Sequence, residues 1–512
     1  MAKRYKRKTA HSGLETVVNL LALLLFAVLG IGFVVALFFT HMLTPLLLAL
    51  IAAAVVVAVV VVFALRFSRG PAKRTAGSVL SVVFCLVFAV GIVYARVGLD
   101  TLDRVTNPEA QTLAMSVYVR GDDTRSMDEL LQHPFGVLSA DQTDTQAAVK
   151  QLDAKYSVTL TPQGYPEATK LVDALNNKEI DAILVNQSHM TVLDDLEEYK
   201  DVMQSLRMVD TIQVPLQASA APQPTTAPAI PLDQPFTVYI SGSDSRSSDI
   251  STSGNSDVNI IATINPKTHQ VLLVSTPRDY FIPLSFSGGV PDKLTHAGGR
   301  GIEESIKTLE MLYDIELDYY FKVNFAGFEG IIDALGGIDV YSDYDFESYI
   351  SDYTYEKGVN HMDGEKALYF VRERYNLPKG DYQRGIHQMR MIEAVANKVL
   401  SPAILTQYLP FMDAVGNCFR TSIPSDFITD MVQNQLQTGG DWNIVSYYVS
   451  GSFSKEYTYS YPDWHLDVIV PDMTTVETAK QLMEQVRNGE IVTSPQSCLL
   501  YTSDAADDLT RV

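Results

Sequence analysis

The sequence predicts an α/β protein: an α-β-α layered domain with a mixed sheet, preceded by a small α/β unit and by three transmembrane helices. Three observations carry this. Apolar residues crowd the first hundred positions into three runs, each near the roughly 20 residues a helix needs to cross hydrocarbon. Beyond residue 110, short β-rich runs alternate with amphipathic helical stretches, some of them joined as hairpins. A Pro/Ala-rich stretch between the two patterned regions marks a boundary.

The basic head Met1–Gly13 carries Lys3, Arg4, Lys6, Arg7 and Lys8. The apolar runs follow near Thr16–Thr40, Pro45–Leu65 and Ala76–Ala95. Three successive spans, with no small-residue cleavage pattern after the first, argue against a signal peptide. The turn His41–Pro45 holds no Lys or Arg, whereas the second loop holds Arg66, Arg69, Lys73 and Arg74. Positive loops stay in the cytoplasm, so a multi-pass cell-membrane protein is expected with its N-terminus inside and everything after Arg96 outside. Residues 1–97 hold 10 Lys/Arg and one acid, so of the chain's 39 basic and 60 acidic residues 29 and 59 remain beyond it, a net of −30. Such a surface gives no electrostatic case for nucleic acid. Cys85 lies in the third span, Cys418 in the exported part and Cys498 in the tail, so the exported core is expected to hold without a disulfide of its own.

The domain plan is 1–98 for head and spans, 110–215 for the accessory α/β unit, 216–234 for the linker, 235–490 for the main domain and 498–512 for a tail. In the accessory unit, Ala114–Val119, Gly136–Leu138 and Ala182–Val185 read as strands, and Thr145–Leu152 and Glu167–Leu175 as helices. No nucleophile pattern stands out there, and a structural or partner-binding role is expected. In the main domain Phe236–Ser241 is a strand, and Val258–Ile264 and Gln270–Thr276 form a hairpin about Asn265-Pro266-Lys267-Thr268. Gly301–Tyr313 has helical spacing. Tyr319–Asn324, a helix around Phe328–Leu335 and Gly337–Tyr341 read as strand–helix–strand. Ala367–Arg374 is expected to end in a strand, before a helix over Tyr382–Leu400. Cys498–Val512 continues no pattern and resembles translated technical sequence, so it is set aside from the fold.

Chemistry concentrates at strand ends. Pairing about Lys267 sets position 257 opposite roughly 277, which puts Asp257 beside Pro277-Arg278-Asp279. Asp244 follows the preceding strand, where open α/β sheets place ligands. Two convergent carboxylates suit a hard cation such as Mg²⁺ (or Mn²⁺), held together with phosphate oxygens; singly, either Asp also serves as a turn residue. Strand geometry over Leu368–Arg374 would put Arg372 and Arg374 on one face. Asp381 is a good N-cap, with Arg384 and Gln388 one turn apart on the helix that follows. Arg278, Arg372, Arg374 and Arg384 are guanidinium groups in a very acidic domain, a pattern suited to bidentate phosphate binding. Surface salt bridges explain any one of them alone.

The stretch from Phe236 to about Ser401 resembles the LytR–CpsA–Psr family of cell-wall ligases. The matching pieces are Asp244-Ser245-Arg246, Ser256-Asp257, Pro277-Arg278-Asp279, Leu294-Thr295-His296-Ala297, Ile332-Asp333-Ala334-Leu335-Gly336-Gly337, Val371-Arg372-Glu373-Arg374, and Gly380-Asp381 with Arg384 and Gln388. Three spans and an extra domain resemble a subgroup associated with capsule attachment. The resemblance implies a deep apolar tunnel for a polyprenyl tail, and Mg²⁺ on the carboxylates matching Asp244 and Asp257. It also implies a pyrophosphate-binding set of Arg246, Arg278, Arg372, Arg374, Asp381, Arg384 and Gln388. Two positions depart from the family's pattern: Asn255 and His387 stand where Arg is usual.

The function expected from this resemblance is phosphotransfer of an anionic glycopolymer, such as a teichoic acid or capsular polysaccharide. The donor is a polyprenyl pyrophosphate carrier and the acceptor is peptidoglycan. Arg278, Asp279, Arg372 and Arg374 are the candidate catalytic residues. Asp279 is either the group that orients or deprotonates the acceptor hydroxyl or a structural partner of Arg278. Two alternatives stay open: hydrolysis of the same donor, and a non-enzymatic envelope sensor or transcriptional attenuator. The short cytoplasmic parts leave no room for a DNA-binding module.

Overall fold

Phe236–Ser243 lies inside a six-stranded mixed sheet of order Phe419–Thr421, Tyr319–Asn324, Phe236–Ser243, Ser256–Asn265, Gln270–Ser275, Asn443–Tyr448. The hairpin is antiparallel, with Ile260 opposite Ser275 and Asn265 opposite Gln270. Tyr319–Asn324 and Asn443–Tyr448 are parallel to their inner neighbours, which requires crossover connections. The strands are Val/Ile-rich and buried, as a sheet covered on both faces demands. On one face, Tyr239, Ile261, Leu272 and Val274 pack with Leu309 and Tyr313 of helix Ile302–Tyr313 and with Val476, Ala479 and Met483 of helix Met473–Arg487. Helix Asp381–Val399 contacts Gln270–Ser275 and Asn443–Tyr448. The layers are therefore α-β-α. The computed structural model describes residues 13–106, 111–139, 142–194, 196, 198–216, 230–244, 250, 252–399, 404–440 and 442–493. The linker's greater part, Arg246 and the tail lie outside them.

The chain packs as two units, residues 1–103 with 424–440 and residues 104–423 with 441–512. The first contains helices Gly13–Phe39 and Pro45–Arg66 and most of Pro71–Thr106, all three long and apolar enough to cross a membrane. Thr44 caps the second, its hydroxyl accepting from the Leu47 amide at 3.2 Å, and Pro45 follows at the first helical position.

In the second unit the accessory sheet has the order Gln163–Tyr165, Phe135–Leu138, Ala182–Asn186, Thr112–Arg120, Leu206–Pro215. Its core is not closed by its own residues alone. Leu171, Ile183, Met190, Leu193 and Tyr199 share one apolar cluster with Tyr461, Leu466 and Val468 of the hairpin Gly451–Tyr457/His465–Pro471.

Two expectations are corrected. Gly364–Arg372 is a helix, not a strand. Asp363 caps it by accepting from the Lys366 amide at 2.9 Å, and the buried Ala367, Leu368, Phe370 and Val371 recur at helical intervals. Ile338–Ser342, read as the second strand of a strand–helix–strand unit, instead pairs with Gly358–Met362 in a separate two-stranded sheet. Gly336 and Gly337, both at positive φ, turn the chain into it, and the Asp333 carboxylate accepts from the Gly364 amide at 2.7 Å.

Candidate active site

Strand Phe236–Ser243 delivers Asp244 one residue past its end, where the Asp244 amide donates to the Asn255 carbonyl at 3.0 Å. Across from it the ladder is irregular: Gly242 pairs with Val258 and Ser243 with Ser256. Asp257 is the extra residue of a β-bulge, a device that re-aims a side chain at a sheet edge. Its carboxylate accepts from Arg278 Nη1 at 2.5 Å. The pairing that sets Ile260 opposite Ser275 carries on to put Arg278, rather than residue 277, across from Asp257.

Arg278 and Asp279 are held by their backbones. The Arg278 carbonyl accepts from the Thr295 amide and the Asp279 carbonyl from the Ile469 amide, both at 2.8 Å. The buried Asp279 carboxylate lies 3.2 Å from Lys293 Nζ, 3.2 Å from Arg374 Nη1 and 3.4 Å from Arg278 Nε. Burial alone raises its pKa, but the positive charges of Lys293, Arg278, Arg374 and Arg384 outweigh that and hold it far below the usual carboxylate range. The Asp279 carboxylate thus bridges three cations, Lys293, Arg374 and Arg278.

Arg372 ends helix Gly364–Arg372, its guanidinium 4.6 Å from the centre of the Phe325 ring. Arg374 comes two residues later in extended chain, so the two reach the site from a helix end and a loop. Glu373 fixes that loop by accepting from the amides of Arg374, Tyr375 and Asn376 through one carboxylate oxygen, at 2.9, 2.8 and 3.1 Å. Helix Asp381–Val399 presents Arg384, paired with Asp381, which also accepts from the Tyr448 hydroxyl at 3.1 Å. Gln388 donates to the Val371 carbonyl at 3.3 Å, tying the two helices together.

A cavity of about 750 Å³ gathers these groups. Asp257, Arg278, Asp279, Arg372, Arg374, Arg384 and Gln388 all line it. Asp244 and Asp381 are not among the lining residues, and Arg246 lies outside the described residues. Lys293 is a lining residue that sequence reasoning missed. A lysine in a strand of buried neighbours, next to Leu294-Thr295-His296-Ala297, was the available signal. Val192, Asp194, Leu196, Glu198 and Lys200 of the accessory unit also border the cavity, and nothing in their sequence announced this.

For a divalent cation the fit lies in the donor set. Asp244 and Asp257 supply oxygen at the ends of paired strands, as Mg²⁺ prefers. Among the described residues no group of three or more His, Cys, Asp or Glu could hold a metal, so phosphate or water oxygens would complete its shell.

The two departures from the family's pattern also have definite places. His387 is fully buried, stacked on Phe370 with ring centres 4.1 Å apart and on Phe346 at 5.6 Å. Burial pushes its pKa down to about 4, so it is neutral and belongs to the core rather than to a phosphate clamp. Asn255 donates through Nδ2 to the Ser188 carbonyl of the accessory unit at 3.3 Å.

The fold is a layered α-β-α domain of the α/β class in which guanidinium groups from a strand end, a helix end and a helix start border one cavity. The LytR_cpsA_psr family matches residues 205–471, just over half of the chain, and the chain belongs to that family. Relatives include a Bacillus cereus protein named polyisoprenyl-teichoic acid–peptidoglycan teichoic acid transferase TagU. It is 32% identical over 229 residues, covering 44% of this chain and 73% of the relative. An Enterococcus faecalis protein of the same name is 35% identical over 196 residues, 38% of this chain and 63% of its own. Among solved structures, Streptococcus agalactiae gbs0355 is similar with 28% identity and a TM-score of 0.43, over 51% of this chain and 90% of its own. B. subtilis TagV has 24% identity and a TM-score of 0.41, over 51% and 99%.

Proposed function

We propose that this protein is a membrane-anchored transferase that moves an anionic glycopolymer from a polyprenyl pyrophosphate carrier to peptidoglycan, outside the cell. One observation carries the reading: Arg278, Lys293, Arg372, Arg374 and Arg384, from separate elements of a strongly acidic chain, border one cavity. Guanidinium forks match phosphate oxygens bidentately, and here they are held before any ligand arrives. The names of the relatives, polyisoprenyl-teichoic acid–peptidoglycan teichoic acid transferases, support the donor and acceptor classes.

In the reaction a peptidoglycan hydroxyl oxygen bonds to the polymer-bearing phosphorus, and the pyrophosphate P–O bond breaks. Prenyl phosphate leaves with the bridging oxygen, and the hydroxyl proton passes to solvent or to that leaving phosphate. Arg278 and Arg374, fixed by Asp279, counter the charge that develops on the transferred phosphate and on the leaving group. Arg384 and Arg372 orient the diphosphate. Asp244 and Asp257 would hold Mg²⁺ or Mn²⁺, which when bound supplies further neutralisation of phosphate charge. Phe325, Tyr369 and Val371 offer apolar cover for the start of the prenyl chain. The three spans anchor the chain, and their charge bias supports an outward-facing domain.

The deciding experiment mixes the full chain in detergent with Mg²⁺, a prenyl-pyrophosphate-linked glycan and peptidoglycan oligomers. The expected product is glycan joined to peptidoglycan by a phosphodiester. Glycan phosphate released without that linkage would make the protein a hydrolase, and no turnover would leave it a binding protein.

A further inference from the structure

The chain between Phe419–Thr421 and Asn443–Tyr448, the two edge strands of the main sheet, contains helix Ser425–Thr438. Its sequence sets apolar and polar residues on different sides. Ile428, Val432 and Leu436 recur every fourth residue and form one stripe, whereas Asp426, Asp430, Asn434 and Gln437 fall on the other side. Phe427 and Thr429 are buried and seat the first turns of the helix. Along the stripe exposure grows, from half-buried Ile428 to Val432 at 37% and Leu436 at 54%. Such a stripe facing water is a cost with no return, and its surroundings say what covers it.

Pro424–Gly440 packs in the same unit as the spans. Within that unit the Gln433 side-chain amide donates to the His41 carbonyl. His41 lies in the short turn between helices Gly13–Phe39 and Pro45–Arg66. The basic loop Arg66–Arg74 is at the far end of the second span, so the helix sits at the end that the charge bias turns outward. Apolar surface continues there on the spans themselves, since Phe38, Phe39 and Leu46 flank the turn and are exposed. We propose that helix Ser425–Thr438 lies on the outer leaflet of the membrane, with Val432 and Leu436 dipping into the boundary between headgroups and acyl chains. The helix holds no Lys or Arg, so apolar burial rather than anionic headgroups attracts it. A stripe this short binds lipid weakly alone, and the tethering spans supply the local concentration it needs. This rests on the membrane anchoring proposed above and adds a second foothold, one that ties the main sheet's connection to the leaflet where the lipid carrier would lie.

The test places the photocrosslinking residue p-benzoylphenylalanine at one position at a time in the full chain, reconstituted in phosphatidylcholine liposomes that carry an alkyne-tagged phospholipid. Illumination should give lipid adducts at positions 432 and 436 several times more abundant than at Asp430, which is exposed on the polar side. Leu24, on the exposed side of the first span, is the reference for lipid contact and should give adducts as well. Equal adducts at positions 436 and 430 would overturn the proposal. So would a crosslink from position 436 to protein in place of lipid, the mark of a second copy or another partner. If Leu24 gives adducts and positions 432 and 436 do not, the anchoring stands and the helix is no foothold. If Leu24 gives none either, the spans do not stand in the bilayer and both readings fall.

Discussion

At the scale of single residues, the proposed function divides the cavity's groups into those that would meet the donor and those that hold them. Replacing Arg278 or Arg374 with Ala should cost about 10²–10³ in turnover, the usual loss for one charge-stabilising contact. Metal affinity should survive in Arg374→Ala. Asp257→Ala should instead shift the Mg²⁺ dependence in a titration of activity. If that variant keeps full activity and an unchanged Mg²⁺ requirement, Asp257 is only a bulge residue paired to Arg278. His387 offers a separate reading through pH. Its folded pKa, pushed down to about 4, lies below the ordinary 6.5, so the unfolded chain binds the proton more readily. The stability tied to neutral His387 is complete above about pH 6.5 and is lost as pH falls towards 4, by up to about 3 kcal/mol. Melting curves at pH 7 and pH 5 should therefore converge in His387→Phe relative to the unmodified chain. An identical acid loss in both would remove His387 as the cause.

Elements explain what the sequence showed and what it hid. The hairpin was legible because Asn265-Pro266-Lys267-Thr268 fixes the turn, and register then follows by counting. The bulge at Asp257 was not, since one extra residue in a ladder leaves no local mark. Gly364–Arg372 misled because Ala-Leu-Tyr-Phe-Val is a short apolar run rich in β-formers, which periodicity alone does not assign. The cap at Asp363 decides it. Asp363→Ala should lower stability by about 1 kcal/mol in denaturant titration. Gly364→Ala should cost more, about 1–3 kcal/mol, because a Cβ there runs into the Glu329 carbonyl. If the two variants cost the same, the close approach at Gly364 is relieved by a backbone shift. Arg372 and Arg374 still reach one cavity, although strand geometry was the wrong reason to expect it.

For the whole molecule, composition and hydropathy gave an expectation of spans, accessory unit and main domain in that order, whereas the chain packs as two units and residues 424–440 fall in the one that holds the spans. Which parts share a core was not readable, because residues 171–199 and 461–468 meet only in three dimensions. Orientation is testable directly: protease added to intact cells should remove the bulk of the chain beyond residue 98. Protection of that bulk with cutting in the Arg66–Arg74 loop would reverse the topology. The shared core also sets a timetable. The accessory sheet is complete in sequence at Pro215, yet the hairpin that closes its apolar face begins at Gly451. At ribosomal speeds of about 5–20 residues per second, roughly 10–50 s pass between the two. During that interval the accessory sheet waits with an open seam, so a chain truncated at residue 450 should stay sensitive to protease in its accessory unit even after long incubation. The accessory sheet would then be among the last parts of the chain to set, long after its own first strand has been made.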